Sequence, residues 1–336
     1  MSGASNAVRL RQYLLALSPQ ARKLLRQRLE GAAGGEAAII LDELRRLEPA
    51  ELSPPVRLFF QPLEAFIVDD VMDRPFRLAR SSLPQLWRWV AHDLLRDEAR
   101  AFSDASGDAF AAGDLARAAR LARDLQDRVA AVIRAAFAEA DDQLLPRRLL
   151  AQLGTPRAAD EVAILRRAFR GRDALAALSG RLPATIDNLP PQSIPVLTML
   201  IENAAHPRDV FVYALLTVMR RMAAPWQIVR LAVHAAGSNG AARVADTSYG
   251  VVLDILLADL DCQIAQLGAA LAGCDRATAV ALIRAIEATV QGLRAELAIP
   301  VGSTLGRRLT ALAAEAGAVT RAALAGAAAD PVALSA

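Results

Sequence analysis

The sequence predicts an all-α protein, a multi-helix bundle of about twelve helices arranged in two helical subdomains. Hydrophobic residues make up 54% of the chain but aromatic residues only 4%, and alanine accounts for much of the remainder. This composition suits helices that pack closely through small side chains, whereas strands favour β-branched and aromatic residues. Apolar residues recur at spacings of three and four, and proline or capping residues repeatedly stand where such stretches begin.

The most apolar helix is predicted at residues 210–219. It is apolar on every face, so other helices are expected to enclose it. It is too short to cross a bilayer and is followed by Arg220 and Arg221. A second helix is expected from Pro225 to just before Gly237, which gives a tight helical hairpin with Trp226 near its corner.

The first 30 residues predict two short amphipathic helices with a strongly basic character. No acidic residue precedes Glu30, and the segment carries six basic residues: Arg9, Arg11, Arg22, Lys23, Arg26 and Arg28. A basic amphipathic helix can dock on an acidic partner or lie on an anionic surface. Arg22, Lys23 and Arg26 are therefore a candidate partner surface. The alternative is that the helix packs on its own domain and leaves its charges in solvent.

A helix is expected from about residue 84 to about residue 102, capped by Ser82. Its apolar stripe consists of Leu83, Leu86, Trp87, Val90 and Leu94. On this helical wheel Trp89 points away from the stripe. Trp89 is therefore a candidate contact for another protein, with contact inside the chain as the alternative.

Arginine is concentrated between residues 147 and 172, where a helix is expected from about 155 to about Gly171. Only Asp160 and Glu161 oppose seven arginines: Arg147, Arg148, Arg157, Arg166, Arg167, Arg170 and Arg172. The stretch has a single aromatic residue, Phe169, and no recognisable helix-turn-helix. Nucleic acid is not expected as a partner.

The segment 179–195 predicts a boundary between two regions, because it holds four of the 17 prolines together with polar turn-forming residues. It separates an N-terminal helical region, 1–180, from an antiparallel helical bundle, 190–336. The bundle is expected to fold without residues 1–180, and its last ten or so residues are expected to be disordered. Its three final helices carry apolar seams, exemplified by Leu260 and Ile286.

The sharpest motif is Asp69-Asp70-Val71-Met72-Asp73. On a helix, its three carboxylates would share a face and could hold Mg²⁺ bridging a diphosphate. The motif resembles the aspartate-rich motif of isoprenyl diphosphate synthases and class I terpene synthases, which are also all-α. That resemblance implies a Mg²⁺-dependent diphosphate enzyme using Asp69, Asp70 and Asp73. The second metal-binding motif and the basic diphosphate clamp of those families are not found in this sequence.

Histidine and the known nucleotide motifs provide no convergent site. Glu202 and His206 are four residues apart, but Pro207 places His206 at a helix start, and His92 and His234 stand on other helices. No phosphate-binding loop, nucleophile elbow or dinucleotide fingerprint occurs. Neither a metal nor a cofactor is expected.

Charge, cysteine content and hydropathy indicate a cytoplasmic protein. The net charge of +3 is too small to imply nucleic acid, and Cys262 and Cys274 match no zinc or redox spacing. No signal peptide is visible, and no apolar run is judged long enough to span a membrane. The favoured interpretation is a non-catalytic, adaptor-like regulatory protein that binds another protein. The Mg²⁺-dependent diphosphate enzyme is the alternative.

Overall fold

The computed structural model confirms the all-α prediction. It describes residues 14, 24–26, 28–29, 37, 40–41, 44, 52–69, 74–139, 149, 153, 157–205 and 208–329. Within these residues, strand is limited to β1 (Ile67–Val68) and β2 (Leu78–Ala79). The two strands pair in parallel, with Ile67 opposite Leu78.

The chain forms two compact units that are interleaved in sequence. The first unit consists of Met1–Glu48, Asp187–Pro195 and Ala223–Ala336, and the second of Pro49–Ile186 and Val196–Met222. This division differs from the predicted ranges 1–180 and 190–336. One crossing between units, at 186/187, falls inside the predicted boundary segment 179–195, and another, at 195/196, lies at its end. Independent folding of one unit stays a prediction.

The second unit is built mostly from α-helices. They are α1 (Pro54–Phe60), α2 (Leu83–Trp89), α3 (Arg96–Ala111), α4 (Leu115–Glu139), α5 (Ala158–Arg181), the greater part of α6 (Ile194–Ala204), and α7 (Phe211–Met219). Shorter 3₁₀ turns lie at Gln61–Phe66, Arg80–Ser82 and Arg208–Val210.

Helical structure is interrupted at two places in this unit. Pro62 stands early in the Gln61–Phe66 turn, so α1 ends at Phe60, as expected from the missing amide hydrogen of proline. The predicted helix 84–102 is not continuous. A π-helical turn follows α2 at Val90–Leu94, and Leu95 leaves the helical region with φ −144° and ψ 62° before α3 begins.

The core of the second unit centres on Phe59. Its ring centroid lies 4.9 Å from that of Phe169, 4.9 Å from that of Phe60 and 5.2 Å from that of Trp87. Helix α4 packs against α1, α3 and α5 around this cluster. Edge-to-face rings add to the stabilisation that comes from burying their apolar area.

Helix α7 is the central apolar helix, and its enclosure is confirmed. Every residue from Tyr213 to Met219 is buried, and α7 packs against α5 and the Gln61–Phe66 turn. The rings of Phe66 and Tyr213 meet edge to face with centroids 4.9 Å apart.

Helix α5 extends past Gly171, where the sequence predicted that it would end. A Cβ at Gly171 would lie 2.4 Å from a methyl carbon of Val210. Glycine is therefore required here for close packing against the start of α7, and it does not act as a helix stop.

Residues 223–329 of the first unit are described without gaps and consist mostly of helices. They are α8 (Val229–Ala236), α9 (Ala241–Ala245), α10 (Val251–Ala272), α11 (Arg276–Glu296) and α12 (Thr304–Ala329), with 3₁₀ turns at Pro191–Ser193, Pro225–Ile228 and Ser248–Gly250. Helix α10 packs against both α11 and α12, and α11 packs against α12.

Local signals place several of these helix ends. Gly237 adopts a left-handed conformation with φ 59° and ends α8, as predicted. The Asp275 carboxylate accepts a hydrogen bond from the Thr278 amide at 3.1 Å and caps α11. The Ser303 hydroxyl accepts one from the Gly306 amide at 3.0 Å at the start of α12.

Trp226 lies at the corner before α8, as predicted, and packs against α11. A Cβ at Gly292 would stand 2.4 Å from the indole carbon Cε3. The Arg230 guanidinium lies 5.5 Å from the Trp226 ring centroid, and its Nε donates to Glu296 at 2.6 Å. Aromatic packing and an ion pair therefore join the corner to α11.

One helix of the described residues, Ser248–Ala272, is long and apolar enough to cross a membrane by length and composition. The prediction that no apolar run reaches spanning length is corrected for this segment. The same properties occur in core helices of water-soluble proteins. Of the most apolar window of this helix, 33% is buried, including Leu256, Leu260 and Leu267, and α10 packs against both α11 and α12.

The described N-terminal residues form a small apolar cluster. Leu14 and Leu44 are each 1% exposed, and Leu25, Leu29 and Ile40 pack against them. These five apolar side chains are thus used inside the chain. The predicted disordered C-terminus falls largely on residues 330–336, which lie outside the described residues.

Candidate functional site

The aspartate motif does not begin on a helix. Asp69 follows β1 on a bend, so the helical face expected for its carboxylate is not found there. The Asp69 carboxylate accepts a hydrogen bond from Arg80 Nε at 2.5 Å, and this bond is the main cause that raises the pKa of Arg80. Asp70 and Asp73 lie outside the described residues. One oxygen of the Asp69 carboxylate is therefore already bound by Arg80.

Trp89 is buried in the second unit, with only 5% of its surface exposed. The partner-surface interpretation of this residue is therefore corrected in favour of contact inside the chain. The helical wheel that pointed Trp89 outward assumed one regular helix through residue 102. The regular helix instead ends at Trp89 itself, and a π-helical turn follows.

The predicted basic surface of the N-terminus is described only at Arg26, which is half-buried in a helical stretch. Arg22 and Lys23 lie outside the described residues. The neighbouring Leu25 packs against the buried cluster around Leu14 and Leu44. A partner surface formed by Arg22, Lys23 and Arg26 stays a prediction.

The histidines do not assemble a metal site among the residues that the structure describes. His92 is exposed on the π-helical turn and His234 is exposed on α8, whereas His206 lies outside the described residues. No three His, Cys, Asp or Glu residues come together in the described part of the chain.

The arginines of α5 are engaged by partners inside the second unit. Arg172 binds both carboxylate oxygens of Asp127, at 2.6 and 2.9 Å, and Arg157 donates to the backbone carbonyls of Arg74 and Arg77. These guanidinium groups position elements far apart in sequence. Arg157 and Arg172 are thus used for contacts inside the unit.

Three further arginines surround the start of α7. Asp209 lies 4.0 Å from Arg166 and 3.6 Å from Arg170, and Arg167 lies beside the Tyr213 phenol. Burial raises the pKa of Tyr213 to about 12, although the positive charge of Arg167 acts in the opposite direction. Arginines of α5 therefore meet an aspartate and a phenol that follow about 40 residues later in the sequence, in the same unit.

The outward face of α6 is an exposed apolar surface. Leu197, Ile201 and Ala204 form its buried stripe, at successive spacings of four and three. On the opposite side Val196 and Met199 are 56% and 54% exposed, and they are three residues apart on the helix. Sequence analysis did not identify this outward face. The signal available was a sequence, IPVLTMLIENA, with more apolar residues than one stripe requires.

Glu202 lies one turn after Met199 and is exposed. The outward face of α6 thus has an apolar centre and a negative charge at one end. Apolar centres with polar rims are typical of surfaces that bind other proteins. Comparison of the chain with protein-family models, with curated proteins and with solved structures gave no match.

Proposed function

We propose that this protein is a non-catalytic, adaptor-like protein of the cytoplasm that binds another protein through the outward face of α6. The observation that supports the proposal is the exposed pair Val196 and Met199 on one helical face. Single exposed apolar residues are common on proteins, but two adjacent ones on a regular helix form a continuous patch.

The chemistry of α6 suits a helix-in-groove contact. Such contacts place apolar side chains at spacings of three and four into a groove of the partner. Full burial of a valine or methionine side chain contributes about 1.5–3 kcal/mol, so the pair can serve as the centre of an interface. Glu202 favours a partner with a basic residue at the edge of the groove.

The proposal is tested with full-length protein that carries an affinity tag. The double variant Val196→Asp, Met199→Asp should lose partners that the wild-type protein captures from its native cells, because each aspartate would be buried without a counter-ion. Leu115→Asp is the matched control, since Leu115 is 63% exposed on α4 in the same unit. Partners retained by the double variant would contradict the proposal.

The diphosphate enzyme is tested separately by calorimetric titration of the full chain with geranyl diphosphate and Mg²⁺. We expect no Asp69-dependent binding, because the Asp69 carboxylate is bound to Arg80. Binding in the micromolar range that is lost in Asp69→Ala would favour the enzyme over the adaptor.

A further inference from the structure

A half-open cavity of about 610 Å³ lies inside the second unit, away from the outward face of α6. It is bounded by α1, the Gln61–Phe66 turn, α4, α5 and α7. We propose that this cavity binds a small aliphatic carboxylate that carries a hydroxyl group. The size falls in the range of cavities that enclose small organic ligands.

The charge of the lining favours a monoanion. Four arginines line the cavity: Arg123, Arg172, Arg220 and Arg221. The carboxylates that line it or bind its arginines are Glu64, Asp173 and Asp127. Arg172 is paired with Asp127 and Asp173 and also lies near Asp124, and Arg220 is paired with Glu64. No ion pair with a carboxylate is seen for Arg123 or Arg221 among the described residues, so the positive charge of these two groups favours an anionic ligand.

Arg221 is the guanidinium best placed to bind that anion. Its described partners are neutral oxygens: Nη2 donates to the Ser179 hydroxyl at 3.1 Å and Nη1 to the Ala184 carbonyl at 3.4 Å. These bonds orient the group without neutralising its charge. A guanidinium has five N–H donors, so others remain for a carboxylate, with which arginine forms strong paired hydrogen bonds.

Gln126 supplies an independent sign of a ligand. Its side chain lines the cavity, is only 2% exposed, and donates from Nε2 to the Phe59 carbonyl at 2.9 Å. That bond assigns the amide orientation, because a carbonyl accepts only from the nitrogen. Oε1 has no hydrogen-bond partner among the described residues. A buried acceptor without a hydrogen bond lowers the stability of the fold, so a ligand hydroxyl that donates to Oε1 would be strongly favoured.

The remaining lining is mainly aliphatic and small. Leu58, Ala119, Ala122, Leu175 and Ala176 contribute to it, with Phe66 as its one aromatic residue. Such a surface suits an alkyl chain better than a planar base, which would prefer stacking partners. A carboxylate at Arg221, a hydroxyl at Gln126 and an alkyl chain against the alanines and leucines together define the ligand class.

The test is a calorimetric titration of the full-length protein with 3-hydroxyoctanoate. We expect saturable binding to the wild-type protein and at least tenfold weaker binding to Arg221→Gln, which corresponds to 1.4 kcal/mol. Arg128→Gln is the matched control, because Arg128 lies on α4 outside the cavity and approaches Glu98 at 3.9 Å. It should bind as the wild-type protein does.

A ligand-side comparison makes the test independent of any folding defect in the variants. Octanoate, which lacks the hydroxyl, should bind wild-type protein roughly fivefold more weakly, as expected for the loss of one hydrogen bond. That difference should disappear in Gln126→Met. No binding of 3-hydroxyoctanoate to the wild-type protein, or equal binding by Arg221→Gln and Arg128→Gln, would overturn the proposal.

Discussion

Single residues around the start of α7 show how tertiary contacts set the chemistry of a side chain. Tyr213 is fully enclosed, and its hydroxyl lies among the arginines of α5. Desolvation disfavours the phenolate, whereas the neighbouring positive charges favour it. Because burial is the larger influence, the pKa of Tyr213 rises to about 12.

The pKa of Tyr213 leads to a pH dependence of stability. A tyrosine in the unfolded chain loses its proton near pH 10, whereas folded Tyr213 keeps it until about pH 12. The free energy of unfolding should therefore fall as pH rises through this interval, by up to about 1.4 kcal/mol per pH unit. In Tyr213→Phe, this contribution to the pH dependence of the free energy of unfolding should vanish. Urea unfolding between about pH 9 and about pH 11.5 measures it, and equal slopes in both proteins would contradict the prediction.

Asp275 gives a second pH dependence, at the opposite end of the scale. Hydrogen bonds from Thr278 lower the pKa of this exposed carboxyl group. Its stabilising effect is therefore complete above the ordinary aspartate value of about 3.9 and is lost as pH falls through the lower folded-state value. Asp275→Ala should melt at a lower temperature than wild type at neutral pH, and the difference should shrink in acid.

Asp275→Asn is the control for this prediction, since asparagine keeps an oxygen that can cap α11. Its melting temperature should stay near that of wild type at neutral pH. An Asp275→Ala protein that melts like wild type at neutral pH would show that the cap contributes nothing measurable.

At the scale of elements, close helix contacts depend on two glycines. Gly171 lets α5 meet Val210, and Gly292 lets α11 meet Trp226. Neither contact involves a turn or a left-handed backbone. In both cases glycine reduces the helix propensity of its own segment, and the packing that it permits offsets that cost.

Gly292→Ala should destabilise the protein, by about 1–3 kcal/mol, because the new methyl group would overlap the Trp226 ring. Gly268→Ala is the matched control on α10. Its Cβ would meet Val319 at an ordinary 3.7 Å, so the gain in helix propensity should stabilise the protein by about 0.5–1 kcal/mol. Chemical denaturation of both variants measures the two effects, and equal effects of the same sign would show that the Trp226 contact is unimportant.

At the scale of the whole molecule, the interleaved units change the expected folding boundary. Helix α7 belongs to the second unit, where α5 and the Gln61–Phe66 turn cover it. Helices α8 to α12 belong to the first. A fragment 190–336 would therefore include a fully apolar helix without the elements that bury it.

We expect residues 223–336 to melt cooperatively when expressed alone, because α10, α11 and α12 share a buried seam that includes Leu260 and Ile286. The fragment 190–336 should bind an apolar dye such as ANS much more strongly than 223–336 does, because α7 would be exposed. Equal dye binding together with cooperative melting of 190–336 would instead support the boundary expected from the proline-rich segment. Leu260→Ala in the shorter fragment should cost about 2–5 kcal/mol.

The sequence by itself determined the helical class, the enclosed helix at residues 210–219, the stop at Gly237 and the interruption at Pro62. These features depend on backbone geometry and on the periodicity of nearby residues, which a linear sequence displays directly. The candidate sites were less accessible. Asp69 was recognisable as part of a motif, but its hydrogen bond with Arg80 depends on the folding of the segment between them.

The tertiary structure alone decided which helix faces are buried and which groups the charged side chains contact. It buried Trp89, joined Arg172 to Asp127 across 45 positions of sequence, left Val196 and Met199 outward, and placed Gln126 in the wall of a cavity. A helix with several apolar faces has no intrinsic preference for which face is covered, and an arginine has none for which acceptor it meets. The packing of elements distant in sequence settles both, because burial and charge pairing act through space and not along the chain.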